Sequence, residues 1–197
     1  MDKEKMGILT PRYWRLAAAD LHSTRNMVFA ALMIAMARAL SLIPGIPIAH
    51  TKLTFGFLAR ALCALVCGPV LGMAYGFAED ILGYILQPSG EFFFGYTLST
   101  MAGVLVYALC FYRCRISVLR IVLANALVNI VVNALMGSVW TTMIRGGAYL
   151  AWFVPSLGKN LITIIPKSIL IYILFQGLLP TLRRLGLIHN EGKVRWI

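Results

Sequence analysis

The sequence predicts an all-α membrane protein, a single bundle of six transmembrane helices, and three observations carry that expectation. The chain is 60% hydrophobic and only 13% charged over 197 residues, with a mean hydropathy of +0.81, far from the balance of a soluble domain. It divides into about six apolar segments, each near the ~20 residues that a spanning helix needs. Lys and Arg gather in alternate breaks between those segments, as they do in multi-pass chains.

The breaks follow from helix-stopping chemistry. The first span runs near Met27 to Ile43 and stops at Pro44-Gly45-Ile46-Pro47. The second runs near Lys52 to Cys67 and stops at Gly68-Pro69; the third continues to about Leu86. Gln87-Pro88-Ser89-Gly90-Glu91 separates it from the fourth, Phe93 to Tyr112, and a basic loop from Arg113 to Arg120 leads to the fifth, which reaches about Met143. The sixth covers Phe153 to Leu179; Pro155 fits a first turn, whereas Pro166 bends the interior. Residues 1–26 form an N-terminal tail, where Trp14, Tyr13 and Leu16 among basic residues suggest a short interfacial helix. Residues 27–180 form the membrane domain and 181–197 a basic tail.

Six spans place Lys3, Lys5, Arg12, Arg15, Arg25, Arg113, Arg115, Arg120, Arg183, Arg184, Lys193 and Arg195 on one side, against Lys52 and Arg145 on the other. Both termini are therefore expected in the cytoplasm. The net charge of +11 then reads as a topogenic signal and a contact with anionic membrane lipid, not with nucleic acid. Cys63 with Cys67 and Cys110 with Cys114 stand at helical spacing near cytoplasmic ends. Apolar packing in a reducing compartment explains them better than a zinc site, and no metal or cofactor is expected.

Polar groups inside the membrane need a reason. NALVNIVVNALMGSVW, residues 125–140, sets Asn125, Asn129 and Asn133 on one stripe continued by Gly137 and Trp140. Facing lipid, it would expose amides to hydrocarbon, so it should face inward. Asn125, the deepest, reads as interhelical glue; Asn129, Asn133 and Trp140 read as a site wall. Arg38, Arg60, Lys159 and Lys167 outnumber Glu79 and Asp80. The acids can pair with two of the bases as a structural set, which leaves a surplus suited to an anion. Arg145 and the aromatics Phe92, Phe93, Phe94, Tyr96, Tyr149 and Trp152 crowd the outer level, where an interfacial aromatic belt is the alternative reading. In AALMIAMARAL, Ala31, Ala35 and Ala39 form a small-residue ridge that lets another helix approach closely, either within the bundle or from outside it.

No GxxxxGK[ST] loop, HExxH or Ser/His/Asp set is present; the histidines are His22, His50 and His189. Glu79-Asp80 is the one acid and base pair that an intramembrane enzyme could use. No inverted repeat relates the two halves, which argues against a self-sufficient carrier.

CGPVLGMAYGFAEDILGYILQPSGEFFFGYTLSTMAGVLVYALCFYR, residues 67–113, resembles the folate-type substrate-binding S components of energy-coupling factor (ECF) transporters. The similarity lies in the Gly-Pro turn, the Asp80, Leu82, Gly83 pattern, Pro88 and Gly90, the run Phe94 to Leu98, and later Asn129, Asn133, Trp140 and Lys159-Asn160. The resemblance implies a bundle in a bacterial cell membrane that captures a vitamin at its extracellular side. A transmembrane T subunit, docked on Ala31, Ala35 and Ala39, and two ATPases would then drive uptake, so the chain itself is not expected to be an enzyme. Folate would set its pterin edge on Asn129 and Asn133, with Asp80 a further partner, stack on Trp140 or a phenylalanine such as Phe94 with Tyr96 nearby, and place its glutamate against Lys159 and Arg145. Ser156, Leu157 and Gly158 stand where such proteins often have an arginine before the lysine. Alternatives are an S component for another vitamin such as pantothenate or a thiamine-like compound, an enzyme using Glu79 and Asp80, and a purely structural subunit.

Overall fold

The computed structural model describes residues 10–48, 51–88, 92–188 and 194. Expectations for Lys3, Lys5, His50, Ser89, Gly90, Glu91, His189, Lys193 and Arg195, and for the side chain of Lys52, lie outside the described residues.

The described chain is helical apart from one hairpin. Helix α1 (Pro11–Ala19) starts with proline in its first turn and leads through a 3-10 turn, Asp20–His22, into α2 (Thr24–Leu42). Strands β1 (Ile46–Ile48) and β2 (Thr51–Leu53) pair antiparallel, with Ile46 opposite Leu53. There follow α3 (Gly56–Leu86), α4 (Phe94–Phe111), α5 (Val118–Leu127), a π-helical segment Val128–Met136, α6 (Gly137–Arg145) and α7 (Tyr149–Arg184). The hairpin corrects the expected second span: Lys52 belongs to β2 and the helix begins at Gly56. Pro44 and Pro47 disfavour helix, leaving the intervening chain extended.

Among the described residues, five segments are long and apolar enough to cross a membrane: Thr24–Leu42, Gly56–Leu86, Phe94–Phe111, Val118–Arg145 and Tyr149–Arg184. The second of these is not straight. Gly68 is non-helical, with φ 72° and ψ −172°, and Arg60 Nε donates to Glu79 Oε2 at 3.0 Å. Nineteen residues of straight helix would separate those two by about 28 Å. The chain therefore folds back at Gly68, and limbs 56–67 and 69–86 lie side by side. The predicted stop at Gly68-Pro69 is thus a real reversal, but the first limb reaches only about 18 Å, short of a ~30 Å hydrocarbon layer.

Contacts sort the bundle into two ends. At one, Cys67 Sγ meets Asn26 O at 3.7 Å, Tyr112 hydroxyl donates to Asp20, and Arg25 donates to the Leu185 carbonyl. This basic end gathers the start of α2, the Gly68 turn, the end of α4 and the end of α7. At the far end Ser41 Oγ meets Gln87 Oε1 at 3.4 Å. The core between them holds Leu62, Leu65, Leu71, Val104, Ile121 and Ile171, with Phe111 edge-on to Phe175 at 5.2 Å. Asn125 ties three helices together there: Tyr107 hydroxyl donates to its Oδ1 at 2.9 Å, and its Nδ2 donates to Ser168 Oγ at 3.0 Å. Large apolar side chains such as Leu32, Ile85, Ile165 and Ile173 are exposed, as a lipid-facing surface requires.

Helix α7 is 36 residues long and runs unbroken through Pro166. At about 54 Å it outreaches a bilayer, so its last turns, with Arg183 and Arg184, extend beyond the apolar layer.

A methyl group on Gly68 would meet Tyr112 Cε2 at 2.8 Å and Cζ at 2.9 Å on a backbone already left-handed. Gly68→Ala should lower stability in detergent by about 1 to 2 kcal/mol from the backbone alone, with a further steric cost. Adding Tyr112→Ala should recover the steric part in a thermal melt, and a neutral Gly68→Ala would contradict the reversal.

Candidate functional site

The far half of the bundle is built around charges that few apolar interiors tolerate. Glu79, on the second limb of α3, is fully buried. Arg38 of α2 donates to its Oε1, and Arg60 of the first limb donates to both its oxygens, at 3.0 and 3.3 Å. One carboxylate thus pairs with two guanidinium groups, and the set keeps a net positive charge. Among the described residues Asp80 pairs with no base, contrary to what the sequence suggested. Its partners are hydroxyls of α4: Thr97 Oγ1 at 2.7 Å and Thr100 Oγ1 at 3.2 Å. Consecutive residues of a helix point about 100° apart, so Glu79 and Asp80 serve different neighbours. That geometry removes the acid and base pair on which the enzyme alternative rested.

The first turns of α4 present two useful faces. Thr97 and Thr100, three residues apart, meet Asp80, while Gly95 and Ser99, four apart, meet α6. Trp140 Nε1 donates to Ser99 Oγ at 2.8 Å, and Phe93 stands 5.8 Å from the Trp140 ring at 58°. A Cβ on Gly95 would lie 2.7 Å from Trp140 Cδ2, so glycine is what lets the indole rest on α4.

The asparagine stripe enters the π segment. Asn129 is fully buried; its Nδ2 donates to the Asn125 carbonyl at 2.8 Å, and its Oδ1 accepts from Lys167 Nζ at 2.8 Å and Asn133 Nδ2 at 3.3 Å. Lys167 also stands 5.7 Å over the Phe57 ring. The charges of Arg60 and Lys159 reach Lys167. Among the described residues only Asp20, Glu79 and Asp80 are acidic, and none of them bonds to Lys167. The ammonium therefore rests on neutral partners. π segments concentrate at functional sites, where they displace side chains from α-helical register.

The structure joins Asn129 and Asn133 through one hydrogen bond, and brings Trp140 and Asp80 to opposite faces of α4. Asn133, expected to face inward, is exposed, as are Phe94, Tyr96, Lys159 and Arg145. Arg145 sits 5.8 Å over Trp152, and Tyr96 packs edge-on to Phe93 at 5.9 Å. Sequence reasoning singled out Phe94 where the structure puts Phe93 against the indole. It also left out Lys167, Phe57, Thr97 and Thr100 as site neighbours; a lysine in the middle of an apolar helix was the available signal for the first. Ala31, Ala35 and Ala39 are all exposed, while Ala30, Met33 and Ala37 are buried. The ridge is therefore an outer face of α2 and not internal packing.

Apolar helices around a far-end cluster of amides, an indole and excess cations define a membrane protein that handles a solute within the bilayer. Residues 25–175 match the family model of the ECF transporter, substrate-specific component, and the chain belongs to that family. A protein named folate transporter FolT from Clostridium novyi (strain NT) is 32% identical over 146 residues, covering 74% of this chain and 85% of that one. Another of that name, from Leuconostoc mesenteroides subsp. mesenteroides, is 30% identical over 160 residues, covering 78% and 84%. Among solved structures, that of FolT bound with folic acid superposes with a TM-score of 0.67 at 25% identity, covering 77% of this chain and 91% of that one.

The ion triad around buried Glu79, with Arg38 and Arg60 part-buried, should dominate stability. Glu79→Gln leaves two guanidinium groups without their anion and should cost about 3 to 5 kcal/mol. Asp80→Asn keeps partners for hydroxyls and should cost about 1 kcal/mol. Equal losses in thermal unfolding would contradict this division of roles.

Proposed function

We propose that this chain is the folate-capturing S component of an ATP-driven ECF importer. The observation that carries the reading is its similarity, over most of both chains, to two proteins named folate transporter and to a structure of FolT bound with folic acid. The far-end chemistry supports it. Asn129 and Asn133 offer amide donors and acceptors to a pterin edge, and Trp140 and Phe93 offer ring faces, whereas Asp80, on the opposite face of α4 and held by two hydroxyls, stands apart from that set. Lys159 and Arg145 are exposed where a dianionic glutamate would emerge. Phe94 and Tyr96 would contribute at the rim.

The two limbs of α3 run in opposite directions, so the chain passes six times between the two ends, with the first limb traversing only part of the apolar layer. The basic end then faces the cytoplasm with both termini, residues 1–26 forming the cytoplasmic tail, 27–180 the binding domain and 181–197 the basic tail. Energy comes from partners: a T subunit docked on Ala31, Ala35 and Ala39, and two ATPases.

Purified chain should bind folate or its reduced forms with submicromolar Kd, measured by quenching of tryptophan fluorescence. Asn133→Leu and Trp140→Ala should each weaken binding about tenfold or more, equivalent to about 1.4 kcal/mol. Tight binding of pantothenate without folate would replace the vitamin assignment; no vitamin binding at all would end it. Ala35→Trp should abolish uptake and co-purification with the T subunit while leaving folate affinity unchanged, because Ala35 is exposed. Loss of folate binding in that variant would instead count against a docking role for this outer face.

A further inference from the structure

A cleft lies at the basic end of the molecule, away from Asn129 and Trp140. It has a volume of about 180 Å³ between the start of α2, the end of α4 and the chain that follows α7. That is room for about six waters at ~30 Å³ each, enough for a phosphate with its ester arms. Two guanidinium groups stand in its walls, Arg25 and Arg113, with Ser23 and Asn26 between polar surfaces and Leu187 and Ile188 on an apolar side.

Both arginines are held in place. Arg25 donates through Nη2 to the Leu185 carbonyl. Arg113 donates through Nε to the Tyr112 hydroxyl at 2.9 Å, with its guanidinium 5.2 Å from the Tyr112 ring. Its backbone has φ 52°, the left-handed region that non-glycine residues rarely occupy. Anchoring each fork through one nitrogen fixes its plane, which is what recognition of a phosphate by arginine requires. The cleft also contains an acid, Asp20, but its carboxylate is engaged by the Tyr112 hydroxyl.

The surroundings distinguish a lipid from a free ion. Trp14, Leu21 and Leu185 are exposed at this end, among Arg12, Arg15, Arg183 and Arg184. Exposed apolar side chains interleaved with basic ones mark the depth of lipid headgroups. At that depth anionic phospholipid is concentrated, while free phosphate must come from bulk water.

We propose that this cleft seats the phosphodiester headgroup of an anionic phospholipid between Arg25 and Arg113. The site is independent of the vitamin assignment, since it shares no residue with the far-end cluster.

The test uses the full chain in a neutral detergent, with retained lipid counted by native mass spectrometry and stability followed by thermal unfolding. Phosphatidylglycerol should be retained and should raise the melting temperature; phosphatidylcholine should do neither. Arg25→Gln with Arg113→Gln should weaken retention about tenfold or more, from the loss of two surface cations. Arg12→Gln with Arg15→Gln, which removes the same charge outside the cleft, should retain it. Equal loss in the two double variants would mean diffuse attraction and overturn the proposal. So would equal stabilisation by millimolar inorganic phosphate, which would assign the cleft to a free ion, or equal retention of the two lipids by the unmodified chain. If the double glutamine variant fails to fold, Arg25→Lys keeps the charge without the fork and should show reduced retention; unchanged retention would count against the site.

Discussion

Everything in the far half of the bundle depends on one carboxylate. Glu79 is fully buried and meets Arg38 from α2 and Arg60 from the first limb of α3, while belonging to the second limb itself. Taking such ions out of water costs several kcal/mol each, and the cost is recovered only while all partners stay in place. Three helical segments are therefore locked in one arrangement. The same contact requires the reversal at Gly68, and the first limb that it folds back carries Phe57, whose ring lies under Lys167. One turn beyond Glu79, Gly83 lies directly against the Arg38 guanidinium, so α2 and the second limb approach closely where the ion pair needs them to.

The electrostatic consequence reaches the candidate site. With Glu79 shared by two arginines and Asp80 held by two threonines, the described acids of the membrane region are occupied. Lys167 is left with an amide oxygen and an aromatic face. These are adequate for an ammonium but leave its charge uncompensated. A cationic solute would add to that imbalance, and an anionic one would relieve it. Folate fits the proposed function on this ground apart from any similarity: its carboxylates supply negative charge, and its heterocycle would use amides and rings of the kind found there.

Much of this was legible in the sequence because it follows from local rules. Gly68-Pro69 announces a break whatever surrounds it, and the inward placing of Asn125 and Asn129 follows from helical spacing and the cost of amides in lipid, although Asn133 at the end of that stripe is exposed. Asn125 as interhelical glue was readable for the same reason, and its bonds to Tyr107 and Ser168 are of that kind. Long-range partnership was not readable. Two basic residues and one acid at separations of 19 and 41 residues admit several pairings, and composition alone suggested that each acid takes one base. Phase was lost as well. A run of three phenylalanines gives no sign of which one meets Trp140, because that depends on α4 beginning at Phe94 and so leaving Phe93 just before it. The π segment was invisible, since residues four apart share a face in either helix type. The β1 and β2 hairpin was missed because three-residue strands carry almost no periodicity.

Helix α2 joins the two themes. Its inward face carries Arg38, and its outward face carries Ala31, Ala35 and Ala39. A helix held only by apolar packing in lipid would be easy to draw out, because lipid and protein interiors are similarly apolar and small polar contacts in membranes contribute only about 0.6 kcal/mol each. Arg38 changes that balance: separating α2 from the bundle would leave a guanidinium alone in hydrocarbon and strip a buried carboxylate of one of its two partners. A partner gripping the alanine ridge in the proposed assembly would therefore move the bundle as one body. The binding cluster would be carried with it, since Glu79 fastens α2 to the two limbs of α3, the first of which carries Phe57 under Lys167. On this reading the ion triad makes the docking face and the binding site parts of a single rigid unit.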